Sequence, residues 1–404
     1  DPDTFDTWFS SSSWPYATLD GPGSADFKKF YPNSLMETGG EILYPWVSRM
    51  IMLGLYVTGE VPFKEVYIHG YVMAEDGAKM SKSLGNVVAP IPVVEKYGSD
   101  ALRMGIISGR SPAINRGYDS RRVEEARNFC NKLWNIARYI ESIEPSKNEK
   151  IGDISNADHW ILSRLASSVE TMESYLENYR FSEAYELIYH LIWDDVADWY
   201  IEAGKHSPNT EMLDQVLSTI LKLAHPFAPF VTETIWQTLY PDSSSMLITA
   251  KWPEKPKYDK EAAKQFEQIK SIITEVRQLK ILLGLQGGEL RFKDSANIFD
   301  NAEIIRRLTK LESVSSVGGG KGLQLTQTSE KCWLDIDEKS AAKLTGSLNE
   351  RADELQKTID NLNQRLNNSG YISKAPAKLI EETKQQLDST TLQQAKIKDL
   401  ISRI

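Results

Sequence analysis

The sequence predicts an α/β layer followed by mostly helical structure, and three observations carry that prediction. Over roughly the first 115 residues, short apolar runs alternate with helical stripes among frequent Gly, Pro and aromatic residues, the pattern of a mostly parallel sheet covered by helices. From about residue 121 to 240, apolar side chains recur at helical spacing almost without interruption. From residue 341 onward, two heptad stripes flank a turn that cannot be helical. Four regions follow: an α/β layer (1–118), an antiparallel helix bundle (119–255), a small α+β module (256–340) and a coiled-coil hairpin (341–404). At roughly 100–200 residues per domain, 404 residues allow two to four domains.

The elements can be justified in order. Val66-Tyr67-Ile68-His69-Gly70-Tyr71-Val72 has strand composition, with a Gly that suggests close backbone approach. Trp46 to Leu55 keeps a helical stripe. In the bundle, Val123, Ala126, Phe129, Cys130, Leu133, Trp134, Ala137 and Ile140 mark one helix face, and 160–176, 182–203 and 212–223 mark further helices. Ser182 reads as an N-cap, and Trp193, Trp199 and Trp236 read as bundle core. The two prolines of His225-Pro226-Phe227-Ala228-Pro229-Phe230 should break the last of these helices, because each removes a backbone donor. A Pro- and Lys-rich link (252–260) precedes a helix at 262–283, strands near 289–292, 323–328 and 331–336, and a helix near 302–311. In the tail, Leu348, Ala352, Leu355, Ile359, Leu362 and Leu366 alternate four and three apart. Ile380, Thr383, Leu387, Thr390, Gln394, Ile397, Ile401 and Ile404 continue that alternation beyond Asn367-Asn368-Ser369-Gly370 and Ala375-Pro376. Each arm would extend about 33 Å. Both an oligomerisation hairpin and an intramolecular arm against an acidic partner fit this pattern.

Composition narrows the functional classes. With 41% apolar and 25% charged residues the chain is globular, not disordered. Cys130 and Cys332 are the only cysteines, which excludes a disulfide scaffold and a cysteine zinc site. The five histidines lack ligand spacing, so no bound metal is expected. No uninterrupted apolar run of about 18 residues marks a membrane span, and no secretory signal opens the chain; a reducing cytoplasm fits. The net charge of −9 argues against indiscriminate coating of nucleic acid, but the tail, with ten Lys and Arg against eight Asp and Glu, runs the other way.

The most informative string is Ala78-Lys79-Met80-Ser81-Lys82-Ser83-Leu84-Gly85-Asn86. Two lysines among small hydroxyl residues, between Gly77 and Gly85, can place ammonium groups on phosphate oxygens. Preplaced cations stabilise the charge that builds on a departing pyrophosphate. Val317-Gly318-Gly319-Gly320-Lys321-Gly322 only imitates a phosphate loop: Gly follows its Lys, and it reads as a turn.

Lys79-Met80-Ser81-Lys82-Ser83 is, letter for letter, the signature string of class I aminoacyl-tRNA synthetases. Phe63-Lys64-Glu65-Val66-Tyr67-Ile68-His69-Gly70, Gly85-Asn86-Val87-Val88 and Tyr97-Gly98-Ser99-Asp100-Ala101-Leu102-Arg103 also resemble that class. Asp6-Thr7-Trp8-Phe9-Ser10-Ser11 with Trp14-Pro15, Trp46-Val47-Ser48-Arg49-Met50 and Arg127-Asn128-Phe129-Cys130-Asn131-Lys132-Leu133-Trp134-Asn135 are similar to its valyl branch. So are Asp198-Trp199-Tyr200-Ile201-Glu202 and the terminal hairpin with Ser373-Lys374-Ala375-Pro376-Ala377.

The resemblance implies the second half of a class I nucleotide-binding, Rossmann-like fold, a helical anticodon-binding domain and a coiled-coil tRNA-binding arm. It implies an ATP-dependent ligase joining L-valine to tRNA(Val), with Mg²⁺ arriving on ATP, working as a cytoplasmic monomer. ATP contacts fall on Lys79, Met80, Ser81, Lys82 and Ser83, with Lys79 and Lys82 catalytic. Gly39 and Glu41 take the place of a Gly-x-Asp element that holds the ribose; Glu for Asp adds one methylene. His69 and Gly70 correspond either to backbone approach to adenine or to a capped strand end. Trp8, Ile42 and Trp46 would wall the valine pocket; out of this context each reads as ordinary core. Pro45 stands where the family usually has an aromatic residue. Arg121, Arg122, Arg138, Tyr139 and Lys374 become tRNA contacts, Arg138-Tyr139 by stacking and charge or, alternatively, as a solvated helix end.

The second class signature, His-Ile-Gly-His, does not occur in the sequence, and the chain lacks an initiator Met. The expectation is therefore the C-terminal portion of a longer enzyme, beginning after its editing insertion and inactive alone. A non-catalytic tRNA-binding protein and an isoleucyl or leucyl enzyme of the same class are the alternatives left open.

Overall fold

A computed structural model describes residues 2–143, 154–241, 246–318, 322–336, 338–368, 370–371 and 376–403. The chain divides into two compact units, one of residues 1–152, 161–201 and 207–257, the other of 153–160, 202–206 and 258–404.

The first unit opens with the α/β layer. Strands Asn33–Gly39 and Phe63–His69 run parallel, in register from Asn33 opposite Phe63 to Gly39 opposite His69. The connection passes through a 3₁₀ turn (Gly40–Ile42), a π-helical turn (Leu43–Val47) and the helix Ser48–Thr58, which Gly59 ends at φ 80°. Such a left-handed terminus suits Gly, which has no Cβ to clash. Val47, Met50 and Phe63 form the buried contact between helix and strand, with Met36, Trp46 and Ile51 against them.

The strand expected over 66–72 starts earlier and stops at His69; a second short strand, Val72–Met73, pairs in parallel with Arg116–Gly117. Gly70 is the divide because a Cβ there would lie 1.9 Å from the Ile114 carbonyl oxygen. The close approach expected at Gly70 is to the chain's own backbone. The strand Asn33–Gly39 went unrecognised in the sequence.

The bundle helices of this unit are Ser120–Glu141, Asn156–Glu177 (from Ile161 onward), Phe181–His190 running on into π-helical Leu191–Ile201, Thr210–Ala224 and Pro229–Leu239. Phe129, Leu133, Leu165, Ile188, Ile192, Val216, Leu217 and Ile220 are fully buried. Trp236 is buried, but Trp193 and Trp199 are only half-buried. Trp134, expected on the inner stripe, is 39% exposed. The proline break falls where expected, with the helix stopping at Ala224 and Pro229 opening the next. Ser182 is not an N-cap: the helix begins at Phe181 with Arg180 in the cap position, and the hydroxyl of the buried Ser182 donates within the helix to Glu186 at 3.5 Å.

In the second unit, helix Lys260–Leu283 starts at Asp259, whose carboxylate accepts the Glu261 and Ala262 amides at 2.8 and 2.9 Å. A four-stranded mixed sheet follows in the order Ser313–Ser316, Glu289–Phe292, Cys332–Leu334, Leu323–Gln324, with helices Ala296–Asp300 and Ala302–Thr309. The strands at 323 and 332 are shorter than expected. Ser313–Ser316 and Ala296–Asp300 were not anticipated. The hairpin is present as Glu338–Asn367 and Ala377–Arg403 packed on each other, with Leu348, Ala352, Leu355, Ile359 and Leu362 facing Thr383, Thr390 and Gln394 in the buried seam. Residues 319–321 of the glycine string lie outside the described residues, as does Lys374. No described helix is long and apolar enough to cross a membrane.

Candidate active site

The two long parallel strands end side by side, and the expected nucleotide residues gather at those ends. A Cβ on Gly39 would fall 2.3 Å from the Tyr71 hydroxyl, so a larger residue there would have to displace the Tyr71 ring. The 3₁₀ turn directly beyond carries Glu41 and Ile42, and the π-helical turn after it carries Trp46. The Trp46 indole donates to the Ser11 carbonyl at 3.4 Å, which ties this turn to the short helix Thr7–Ser12 bearing Trp8. The Arg49 guanidinium lies over the Trp8 ring, 5.3 Å from its centre. Trp8, Ile42 and Trp46 thus stand on adjoining elements, all half-buried, with Trp46 also packed on the Met50 core.

The signature loop reaches this place from the other strand pair. Ala74 and Ala78 close a turn with Gly77 at φ 81°, and Asp76 accepts the Ala78 amide at 2.9 Å. Lys82–Leu84 forms a 3₁₀ turn ended by Gly85 at φ 67°. Asn86 holds the loop together: its side-chain oxygen accepts the Ser81 amide at 2.8 Å and its amide donates to the Lys79 carbonyl at 3.3 Å. The Ser81 and Ser83 hydroxyls meet at 2.7 Å. Met80 is half-buried.

Lys79 Nζ sits 2.7 Å from Glu41 Oε2 and 5.6 Å from the centre of the Tyr71 ring. Hydrogen bonding to Glu41 raises the Lys79 ammonium above its ordinary pKa, with the Glu41 charge acting the same way. The expected ribose carboxylate and the first signature lysine therefore neutralise each other. Lys82 is exposed and makes no ion pair among the described residues.

His69 faces Glu37 across the two strands, Nδ1 in contact with Oε1, and meets the Tyr71 ring edge-on at 5.9 Å. His69, Gly70 and Tyr71 line a cavity of about 500 Å³ that also takes in Glu37, Tyr67 and Arg110. Asn115 fixes the strand end by accepting the Tyr71 amide at 2.8 Å. Among the described residues no three His, Cys, Asp or Glu side chains converge as metal ligands would.

The expected tRNA contacts do not form one patch. Arg121 and Arg122 open the helix Ser120–Glu141 and Arg138-Tyr139 close it, about 25 Å apart at the rise of an α-helix. Arg121 forks onto Asp119 at 3.1 Å in both contacts, and Arg122 donates to the Ser108 carbonyl at 2.8 Å. Arg138 is exposed and Tyr139 half-buried beside it.

Sequence reasoning missed what Asp100 and Arg103 do. Asp100 accepts the Phe230 and Val231 amides at 3.2 and 2.7 Å, and Arg103 donates to the carbonyls of Pro226 at 3.1 Å and Phe227 at 3.4 Å. The string that reads as part of the signature region is thus a clamp on the proline break. The signal was there, a carboxylate and a guanidinium one helical turn apart, but nothing local named the partner.

Three family models match in succession. Residues 1–115 match tRNA synthetases class I (I, L, M and V), 158–294 match the anticodon-binding domain of tRNA ligase, and 338–404 match the valyl tRNA synthetase tRNA binding arm. A valine–tRNA ligase of Carboxydothermus hydrogenoformans is 35% identical, over 96% of this chain and 47% of its own length. That of Thermotoga maritima is 34% identical, over 99% of this chain and 48% of its own length. The chain belongs to the class I valyl-tRNA synthetase family. It spans about half the length of these curated valyl relatives. A solved LeuRS–tRNA–LeuAMS ternary complex from Agrobacterium radiobacter K84 superposes with a TM-score of 0.54 at 22% identity, over 65% of this chain and 34% of that one, a likeness of fold. Within the valyl-tRNA synthetase family, the anticodon-binding match covers most of the bundle and continues to residue 294, through the helix Lys260–Leu283 and the strand Glu289–Phe292.

Proposed function

We propose that the chain supplies the signature-loop half of the adenylation site, the anticodon-binding bundle and the tRNA arm of a cytoplasmic, monomeric valine–tRNA ligase. The reaction is valine + ATP + tRNA(Val) → valyl-tRNA(Val) + AMP + pyrophosphate. The observation that carries this reading is the Lys79–Glu41 contact at the ends of the parallel strands. It brings a cation suited to phosphate and an acceptor-only carboxylate suited to two ribose hydroxyls to the same strand ends, the two kinds of group that the ribose and the phosphates of a nucleoside triphosphate call for.

On binding ATP, the carboxylate of Glu41 exchanges Lys79 for the ribose hydroxyls, and Lys79 turns to the phosphates with Lys82. Mg²⁺ enters on ATP and keeps most of its waters. Valine, held against Trp8, Ile42 and Trp46, attacks the α-phosphate in line through its carboxylate, and the two ammonium groups stabilise the leaving pyrophosphate. The tRNA 3′ end then takes the valyl group. Arg121, Arg122, Arg138 and Tyr139 hold tRNA on the bundle, with Arg138-Tyr139 offering stacking and charge to unpaired bases; Lys374 serves the arm.

The test is complementation. With a polypeptide supplying the His-Ile-Gly-His half of a bacterial relative, the chain should charge tRNA(Val) with valine and not with isoleucine. Alone it should be silent, because that string does not occur in it. Isoleucine charging would move it to another enzyme of the class. Tight tRNA binding with no charging in any combination would favour a non-catalytic tRNA-binding protein.

A further inference from the structure

We infer that Arg110, Arg116 and Arg122 form a phosphate-binding site around the Ser108–Gly109 turn. The family resemblance treats Arg122 as a tRNA contact; nothing above gives Arg110 or Arg116 a role, or joins the three.

The turn follows helix Ser99–Ile107, and Gly109 adopts φ 64°. A Cβ at that position would lie 2.4 Å from Arg122 Nη1 and 2.7 Å from Arg116 Nη1. The two guanidiniums are therefore no more than about 5 Å apart, a distance at which like charges repel. Arg110 joins them: burial, together with the charges of Arg116 and Arg122, pushes its pKa below the ordinary arginine value. Their bonds go to neutral acceptors only. Arg122 Nη1 donates to the Ser108 carbonyl at 2.8 Å and hydroxyl at 3.0 Å, Arg116 Nη1 to the Gly109 carbonyl, and Arg110 to the carbonyls of Ile106 and Arg116. None of the three makes an ion pair among the described residues, and Asp119, the carboxylate whose pKa Arg122 helps to lower, is occupied by Arg121.

Three positive charges brought together without a carboxylate are an arrangement that an anion would stabilise. Each guanidinium has five N–H donors, and these bonds leave most of them over. A single carboxylate is saturated by one fork; three convergent forks suit the several acceptor oxygens of a phosphate. Arg110 also walls the cavity of about 500 Å³ beside His69, Gly70 and Tyr71, so the cluster opens to space. The phosphate can come from an RNA backbone or from free polyphosphate, and both present the same chemistry.

The experiment compares the 404-residue chain with its Arg110→Gln/Arg116→Gln variant. Anisotropy of a labelled tRNA transcript is read across roughly 50–200 mM KCl, and thermal shift is read with inorganic pyrophosphate. If the source is RNA, the variant binds about fivefold or more weakly, its log–log salt slope falls by about one to two, and pyrophosphate does not compete. If the source is polyphosphate, pyrophosphate raises the melting temperature of the chain clearly more than that of the variant, in which Lys79 and Lys82 are unchanged. Arg116→Lys, which keeps the charge but not the fork, should fall between the two. If the double variant fails to fold, Arg116→Gln alone, an exposed position, takes its place. An unchanged salt slope together with an unchanged pyrophosphate response overturns the site. Failure of the ligase reading would show separately, as absent valine charging with the phosphate response intact.

Discussion

The Asp100 carboxylate accepts a 2.7 Å hydrogen bond from the amide of Val231, 131 residues away. With the Phe230 amide it satisfies the N-terminus of the helix Pro229–Leu239, while Arg103 holds the carbonyls just before that helix. Asp100→Ala should cost about 1–3 kcal/mol in urea unfolding, and Asp100→Asn clearly less, since its side-chain oxygen still accepts. Burial is the largest influence on Asp100 and lifts its pKa despite the two amides. A raised carboxyl pKa favours the folded state below the unfolded value and loses that benefit as pH rises through the folded one. The advantage of wild type over Asp100→Asn should therefore be greater near pH 4 than near pH 7, about the range in which carboxylates titrate. The opposite trend would mean the amide bonds outweigh burial.

Glu41 and Lys79 are both exposed, so their pairing is a matter of function more than of stability. Glu41→Ala should leave the melting temperature unchanged while raising the KM for ATP in the complemented enzyme by about tenfold, the order expected for losing a charge-assisted bond to the ribose. Glu41→Asp should retain most of the affinity. An unchanged KM for ATP in Glu41→Ala would remove the ribose role.

Burial pushes the thiols of Cys130 and Cys332 up to about 12. Neither should react measurably with a thiol reagent at pH 8 in the native chain, and both should react at once in denaturant, a rate difference of about 100-fold or more. Rapid native labelling of one thiol would show that its helix or sheet opens locally.

The hairpin seam contains a buried glutamine, Gln394, which donates to the Ala352 carbonyl at 3.2 Å and to the Gln356 side chain at 2.8 Å. Satisfied polar groups in such seams fix register at a cost in stability. Gln394→Leu should raise the melting temperature of the arm followed by circular dichroism and introduce larger species in light scattering. A less stable, still monodisperse variant would contradict this.

These cases show where sequence is informative. The hairpin could be read outright, because each seam residue is set by neighbours three and four places away and the partner arm repeats the pattern. The proline break and the strand character of Val66–His69 were legible from local composition, but the start of that strand at Phe63, its end before Gly70 and its parallel partner Asn33–Gly39 were not. Ser313–Ser316 was not: a short polar run becomes a strand because Glu289–Phe292 offers it a ladder, and the Glu289 carboxylate accepts the Ser313 and Ser315 hydroxyls, each at 2.8 Å. Ser182 misled because it has the right chemistry one residue too late, inside the helix and facing the core. At the site, the signature string named Lys79 and Lys82, but Asn86 as the brace of the loop and Glu41 as the partner of Lys79 are relations across a turn and across 38 residues.

The central claim is that the signature lysines act on the departing pyrophosphate, and Lys82→Ala tests it most directly. In the complemented enzyme, valine-dependent ATP–pyrophosphate exchange should fall by about 100-fold or more, as when a preorganised transition-state charge is removed, while the KM for valine stays within about threefold. Equal losses in exchange rate and valine affinity, or an exchange rate close to that of the unsubstituted chain, would contradict the account.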